Sequence, residues 1–465
     1  MSLNTQVGDP LIPAIQSWAG LEVLKNRRIV IYGAGKIGRR VQSALDWFGE
    51  PVAFFWDLKA DIIGSVDGKA VFEPDFQATP LNNLDDWVVL VTIFSENVAA
   101  MVCDKLCQAG YLHVIIERSF FITLLYAECA SRREKGRFHF DLSTCHSCPV
   151  ISDTRNHCDI FDNYVRANFV KDLAPDREPD LVVPSVGVLV SNRCTLTCLG
   201  CNHLRDHYFP NNHVDIDSQQ VLDDLTRFLA AVDLVNKVVV VGGESLIHPD
   251  IEHILEGILS LPRIGVVHVI TNGTVVPKHK RFFNLLSSER VIVEISGYGD
   301  QIPKKFQENV KCFIKKLEEY GVNFHYAQTL QWFDFGGFEN RGYSDEKLKQ
   351  VYATCCFISN DIFDGQLFKC SRSAYGTFIG KVPDYPSDYV DIRHTSPLEL
   401  RRRLIDFFSM NSVKVCQHCN GTSTATIEAG QQVKFFRKSK QTTHELVTKY
   451  IHDTTESDRR GGRVL

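Results

Sequence analysis

The sequence predicts an α/β protein made of two successive strand–helix units followed by a small cysteine-rich region. Three observations predict it. Apolar runs of strand length alternate with stretches of helical periodicity over Asn26–Ile116 and again from Ser185 to Tyr326. A run rich in proline and aspartate, 174–184, stands between the two as a linker. Cysteines gather in the last quarter of the chain, after the second alternation has ended.

In order, residues 1–25 read as a short helical lead-in. Arg28–Tyr32 is an apolar strand, Gly33–Gly38 a glycine turn and Ile37–Phe48 a helix. Pro51–Phe55 and Trp87–Ile93 are further strands, Glu96–Ala109 a helix and Leu112–Ile116 a fourth strand, together a small doubly wound unit. An apolar helix, Phe120–Ala130, opens a polar connector that carries Cys145, Cys148 and Cys158 and which Cys129 could join. That group is compatible with zinc, with a further cluster or with unligated thiols, and it is left out of the sites. The second unit offers strands at Val186–Val190, Lys237–Val241, Gly265–Thr271, Arg290–Ser296 and Val322–Tyr326. Helices fall between them near Ser218–Val232, Ile251–Leu261, Lys278–Ser288 and Lys304–Tyr320. Consecutive βα units of this kind imply a parallel sheet closed partly or wholly into a barrel. The expected boundaries are 1–117, 118–183, 184–340, 341–430 and a tail at 431–465.

Composition narrows the function. With 465 residues, 44% hydrophobic and 23% charged, the chain can bury several cores. A net charge of −5 offers no general attraction for nucleic acid or an anionic membrane. No apolar run is long enough to span a bilayer and no basic-then-apolar signal pattern opens the chain, so a cytoplasmic location is expected. In that reducing compartment fifteen cysteines argue for metal or cluster ligation rather than disulfides.

Cys194, Cys198 and Cys201 lie in one short loop directly after a strand. Four thiolates would fill a [4Fe–4S] cube, whereas three leave one iron open for chemistry. Zinc is the competing occupant, but it usually takes cysteines as CxxC pairs. The run CTLTCLGC resembles the CxxxCxxC signature of the radical S-adenosylmethionine (SAM) superfamily. Gly242-Gly243-Glu244 is similar to that family's GGE motif, which meets the SAM amino group, and Thr271-Asn272-Gly273 resembles its TNG. Ser296 resembles the polar residue that contacts the SAM carboxylate. Gly200 stands where an aromatic residue is frequent, and Ser245 where proline is usual. The resemblance, over about 185–335, implies a partial (β/α)6 TIM-like barrel, a SAM-binding [4Fe–4S] cluster and hydrogen abstraction by a 5′-deoxyadenosyl radical. It also implies a flavodoxin- or ferredoxin-type electron donor.

Strand alternation proposes what lines the barrel. If Ser296 faces SAM, then Glu294 faces the lumen, and the same parity groups Asn323 with His325 and His268 with Asn272. Glu294 and His325 are the candidate catalytic residues, for hydroxyl binding or proton transfer. His268 and His325 could equally be structural; His203 and His207, just past the cysteine loop, are near the site by sequence but could equally lie on a solvated helix face.

Cys355 or Cys356, with Cys370, Cys416 and Cys419, gives a second set of four thiolates; of the adjacent pair Cys356 is preferred. Composition alone would favour zinc there. The layout of cysteine, Gly-x4-Cys, a long gap and CxxC resembles the auxiliary-cluster SPASM/twitch domain, which implies a second [4Fe–4S] cluster serving as an electron conduit.

Gly33, Gly35 and Gly38 follow a strand and open a helix, and Asp57 ends the next strand, the context of a dinucleotide fingerprint. The unit resembles the small Rossmann-like domains of sugar-modifying enzymes and methyltransferases, and either nucleotide binding or a structural role is open to it. The leading expectation is an oxidoreductase or epimerase acting on a small-molecule carbohydrate or nucleotide-linked sugar, with no nucleic-acid or membrane partner. The rivals are a SPASM-type peptide-modifying maturase and a zinc-binding scaffold.

Overall fold

The computed structural model describes residues 22–75, 83–93, 96–137, 145, 148, 158–170, 181–208, 212–329, 331–355, 357–422 and 426–433. Most of the expected lead-in, most of the 174–184 linker, most of the C-terminal tail and Cys356 lie outside them.

The first unit is a sheet covered on both faces. Its strands are β1 (Arg28–Tyr32), β2 (Val52–Trp56), β3 (Ser65–Val66), β4 (Lys69–Phe72), β5 (Trp87–Val91) and β6 (Val114–Ile115), paired in the order β3-β4-β2-β1-β5-β6. All pairs are parallel except β3–β4. Because side chains alternate along a strand, Ile29, Ile31, Val88 and Leu90 face α1 (Lys36–Phe48) and α4 (Arg118–Glu134). Val30, Tyr32, Val89 and Val91 face α3 (Glu96–Gln108) on the other side. A helical turn, α2 (Ala60–Ile63), precedes β3. The expectation of four strands is exceeded by β3 and β4, a hairpin closed by Asp67-Gly68 with both residues at positive φ, 45° and 79°. The expected connector is divided. α4 packs on α1 in the first unit, while α5 (Asp159–Phe169) packs on the second through Phe161, Val165 and Phe169.

The second unit carries β7 (Val182–Val183), β8 (Val186–Leu189), β9 (Leu234–Val241), β10 (Ile264–Thr271), β11 (Val291–Gly297) and β12 (Phe324–Gln328). Between them lie α6 (Ser218–Ala231), α7 (Ile251–Ser260), α8 (Lys280–Leu286) and α9 (Lys304–Glu319). The paired order runs β12-β11-β10-β9-β8 and continues, beyond β13 (Gln331–Phe333) in sequence, into β14 (Asp361–Phe363), β15 (Gln366–Phe368) and β16 (Tyr389–Asp391). β12 through β14 are parallel, and the path stays open.

The sheet continues across the expected boundary at residue 340. The sixth parallel strand, β14, comes from the cysteine-rich segment and covers the edge of β8 that would otherwise stay unpaired. It turns back at Asp364-Gly365, both at positive φ, into β15. Leu367 of β15, Tyr375 of α11 (Ser371–Phe378) and Leu404 of α12 (Pro397–Phe408) share one buried core with Val188, Val238 and Val267. α10 (Asp345–Thr354) precedes the first of the C-terminal cysteines, and β17 (Thr426–Glu428) pairs with β13. No helix of the described residues is long and apolar enough to cross a membrane.

Candidate active site and cysteine centres

Beyond β8 the chain turns through Ser191–Arg193 into the cysteine loop. Asp215 fixes that turn, accepting from Ser191 Oγ and from the Arg193 guanidinium, both at 2.6 Å. The end of β9 comes so close that a Cβ on Gly242 would lie 2.4 Å from the Ser191 carbonyl oxygen, and one on Gly243 2.1 Å from that of Arg193. Only glycines allow the Gly243 amide to reach Ser191 O at 2.8 Å and the Glu244 amide to reach Arg193 O at 2.7 Å.

Three segments aim donors at the sulfurs. Cys194 Sγ accepts from the Leu196 amide and from Asn272 Nδ2, each at 3.4 Å. Cys198 Sγ accepts from Gln432 Nε2 at 3.1 Å, and Cys201 from the backbone at Arg205 and His203. Burial pushes Cys194 up to about 12, Cys201 to about 11 and Cys198 higher still. Thiolates in such a place need a bound cation, and N–H donors pointed at sulfur suit a thiolate-held metal group, so the residues fit an iron–sulfur cluster. Gly200 sits at φ 65° with an ideal Cβ only 2.2 Å from Ile427 Cδ1, so β17 fills the space of an aromatic side chain.

Two findings here differ from the sequence reading. Glu244 is 1% exposed, and its oxygens accept from Thr271 Oγ1 (2.6 Å) and from the Asn272 (2.7 Å) and Leu246 (3.0 Å) amides. Its carboxylate clamps the Thr271–Gly273 loop instead of facing the cavity, which Gly242, Gly243, Asn272 and Ser296 line. Nor is the chain beyond Gly430 a mere tail: Gln432 Oε1 accepts from the Thr197 amide at 2.9 Å while its Nε2 reaches Cys198. Nothing in the sequence marks Gln432, because its partners lie more than two hundred residues away.

The cysteine loop opens on a cavity of about 1270 Å³. Lys237, His268, Glu294 and His325 enter it from β9, β10, β11 and β12. Glu294 is paired across the sheet with His325, and its carboxylate lies 3.5 Å from His268 Nε2. Burial lowers both His268 and Lys237, and Glu294 opposes that shift in each. Asn323 does not line the cavity. No motif marks Lys237, although its parity with Val239 and Val241 points it inward. No motif marks Asp361 either. It is 1% exposed, Oδ2 accepts from Ser359 (2.6 Å) and Ser371 (2.7 Å), and Oδ1 has no hydrogen-bond partner among the described residues. Trp332, Phe333, Phe335 and Phe357 add an aromatic wall. His203 lines the cavity as well, with its ring against the Gly242 carbonyl and burial lowering it to about 4, whereas His207 packs on Phe338.

The glycine loop of the first unit reaches the same cavity through Gly33, Gly35, Gly38 and Asp57. Gly33 (φ 107°) and Gly38, whose Cβ would stand 1.9 Å from Gly33 O, are required by the turn. Gly35 faces open space at the start of α1. The Asp57 carboxylate accepts from the Ala34 amide (2.7 Å) and the Lys59 amide (2.9 Å), so it is committed first to shaping the loop.

In the C-terminal region the structure groups Cys355, Cys370, Cys416 and Cys419 within electrostatic reach of one another. Cys370 caps α11 and accepts from the Ser373 amide at 3.4 Å, and Cys419 accepts from the Gly421 amide at 3.3 Å. Cys355 also lines the cavity. The preferred fourth ligand, Cys356, lies outside the described residues.

Residues 188–325 match the family model described as the Radical SAM superfamily. A protein of Methanococcus aeolicus described as "Probable GTP 3',8-cyclase" is 25% identical over 146 residues, 30% of this chain and 48% of its own length, so the chain spans about half of that relative. The solved structure of native anSMEcpe with bound AdoMet and Cp18Cys peptide gives a TM-score of 0.33 at 12% identity, covering 50% of this chain and 87% of its own. BtrN in complex with AdoMet and 2-DOIA gives 0.29 at 16% identity, covering 51% and 92%. TM-scores that low add nothing to the assignment, which rests on the family model and on the loop it contains. Residues 188–325 are a radical SAM domain, and that superfamily implies a [4Fe–4S] cluster and SAM.

Proposed function

We propose that this chain is a radical SAM oxidoreductase that removes hydrogen from a carbinol carbon of a nucleotide-linked sugar. One observation carries the reading: the cysteine loop, a set of charged groups suited to hydroxyls and the glycine loop all open on one cavity. Cys194, Cys198 and Cys201 would hold a [4Fe–4S] cluster that, with SAM bound, would supply a 5′-deoxyadenosyl radical as hydrogen acceptor.

The chain's own residues do the rest. Asn272, Ser296 and the Gly242-Gly243 backbone line the wall nearest the cysteine loop and would hold the cofactor there. Glu294, oriented by His268, accepts a hydrogen bond from the substrate hydroxyl and takes its proton as the carbon is oxidised, with His325 as its neighbour. The aromatic wall stacks on the sugar face and excludes water. Gly35 and the first amides of α1 receive the diphosphate.

Abstraction transfers one hydrogen atom. A ketone then requires the loss of one electron and the hydroxyl proton. The C-terminal thiolates Cys355, Cys370, Cys416 and Cys419 would hold a second [4Fe–4S] cluster able to accept that electron, and Cys355 lines the cavity. That route favours dehydrogenation over epimerisation. A flavodoxin- or ferredoxin-type protein supplies the initiating electron, in the reducing cytoplasm.

The test incubates the reduced, reconstituted enzyme with SAM and deuterated nucleotide sugars, aminoglycosides and peptides. Deuterium is expected in 5′-deoxyadenosine from a carbinol position of a nucleotide sugar. Transfer only from a peptide Cα or Cβ would replace the reading with a peptide maturase.

A further inference from the structure

Four cysteines that neither centre uses converge elsewhere. Cys129 lies in α4, Cys145 and Cys148 form a CxxC in which the Cys148 amide donates to Cys145 O at 3.0 Å, and Cys158 immediately precedes α5. They come from three separate stretches of chain, yet Cys145 is within electrostatic reach of Cys148, Cys129 and Cys158, and Cys129 of Cys148. Their location is the seam between the two α/β units. Cys148 and Cys158 pack against the core beneath α1 and α4, while Cys145 and Cys158 pack against the core that α5 makes with β9 and β10.

Packing alone does not call for this set. Thiols are weak hydrogen-bond donors that serve a core no better than alanine or valine, whereas several thiols gathered at one point bring metal ligation. Charge points the same way. Arg40 Nη2 stands 3.4 Å from Cys129 Sγ, also interacts with Cys148, and is held by the buried Glu128. Four thiolates around a metal core keep a net negative charge in a seam that burial makes hostile to it, and a guanidinium at that spot offsets part of the charge.

The ligands bear on which metal. Four cysteines with no histidine among them suit a cube as well as a zinc tetrahedron. The same chain carries Cys194, Cys198 and Cys201 in a stretch that matches the Radical SAM superfamily, which implies a [4Fe–4S] cluster, so iron and sulfide are the groups assigned to this set too.

We propose that Cys129, Cys145, Cys148 and Cys158 hold a third iron–sulfur cluster, fully ligated by thiolate, that ties the first α/β unit to the second. With no open iron it binds no SAM. The proposal does not depend on the substrate reading.

The experiment uses the full chain, reconstituted anaerobically with iron and sulfide. Native protein and the Cys145→Ser and Cys129→Ser variants are assayed for iron, sulfide and zinc. Native protein with and without iron is also alkylated and mapped by mass spectrometry. Each variant is expected to lose about four irons and four sulfides. Cys129, Cys145, Cys148 and Cys158 should resist alkylation only in the reconstituted native protein. Loss of one zinc in place of iron overturns the cluster, and equal alkylation of the four with and without iron overturns the site. The map on native protein remains decisive if a serine variant fails to fold.

Discussion

The cysteine loop after β8 and the C-terminal cysteine set solve opposite problems with the same side chain. The first offers three sulfurs from one loop, gathers donors for them from Asn272 and Gln432, and leaves a side open to the cavity. The second offers four described sulfurs from α11 and its surroundings, and only Cys355 touches the cavity. Three ligands and an open wall suit a centre that binds and cleaves a molecule. Four ligands and an enclosed position suit one that passes electrons. On the proposed function, ligand count and access, rather than cysteine content, separate chemistry from conduction.

The sharpest way to break the comparison is to remove one sulfur from the enclosed set. Cys370→Ala should abolish substrate oxidation while 5′-deoxyadenosine continues to form, with about four irons lost. An oxidised product at the native level would show that the C-terminal set conducts nothing needed. On the open side, Glu294→Gln keeps the shape and removes the base. Oxidation should slow by about 10²- to 10⁴-fold, with SAM cleavage in the absence of substrate unchanged. Equal losses in both would assign Glu294 to folding instead.

Asp361 lines the cavity, hydrogen-bonded to Ser371 beside Cys370 and close against Gly187 of β8. Burial raises its carboxyl from 3.8 to about 6, against the two serine hydroxyls that favour the charged form. A raised carboxyl means the folded state holds the proton more tightly. Its contribution to stability is therefore complete below 3.8 and is lost as pH rises through about 6. The loss is on the order of 3 kcal/mol. In denaturant titrations Asp361→Asn should flatten that slope relative to the native chain. An identical slope would mean that Asp361 ionises in the fold as freely as it does unfolded.

What the sequence made legible was local. Cys194, Cys198 and Cys201, the Gly242-Gly243 pair and Thr271–Gly273 are short motifs at strand ends, where backbone geometry confines them. Strand parity carried Glu294, His268 and His325 to the cavity because a residue and its second neighbour must share a face. What it hid was tertiary. Asp361 sits on β14, a strand that belongs to the parallel sheet only because it covers the edge of β8. Gln432 matters only because the chain returns to the cysteine loop. Glu244 looked like a ligand-facing acid, and only the meeting of its loop with Thr271 and Asn272 shows where its oxygens go. Cys129, Cys145, Cys148 and Cys158 group along the connector in sequence, but their place at the seam follows only from two helices packing on different units.

The central claim is that the loop after β8 carries the centre that cleaves SAM. The most direct measurement is 5′-deoxyadenosine release by anaerobically reconstituted protein given dithionite and SAM, for the native chain and for Cys198→Ala. The account predicts release by the native chain and none by the variant, since two remaining thiolates cannot hold the cube with one iron left open. Undiminished release by Cys198→Ala would contradict it.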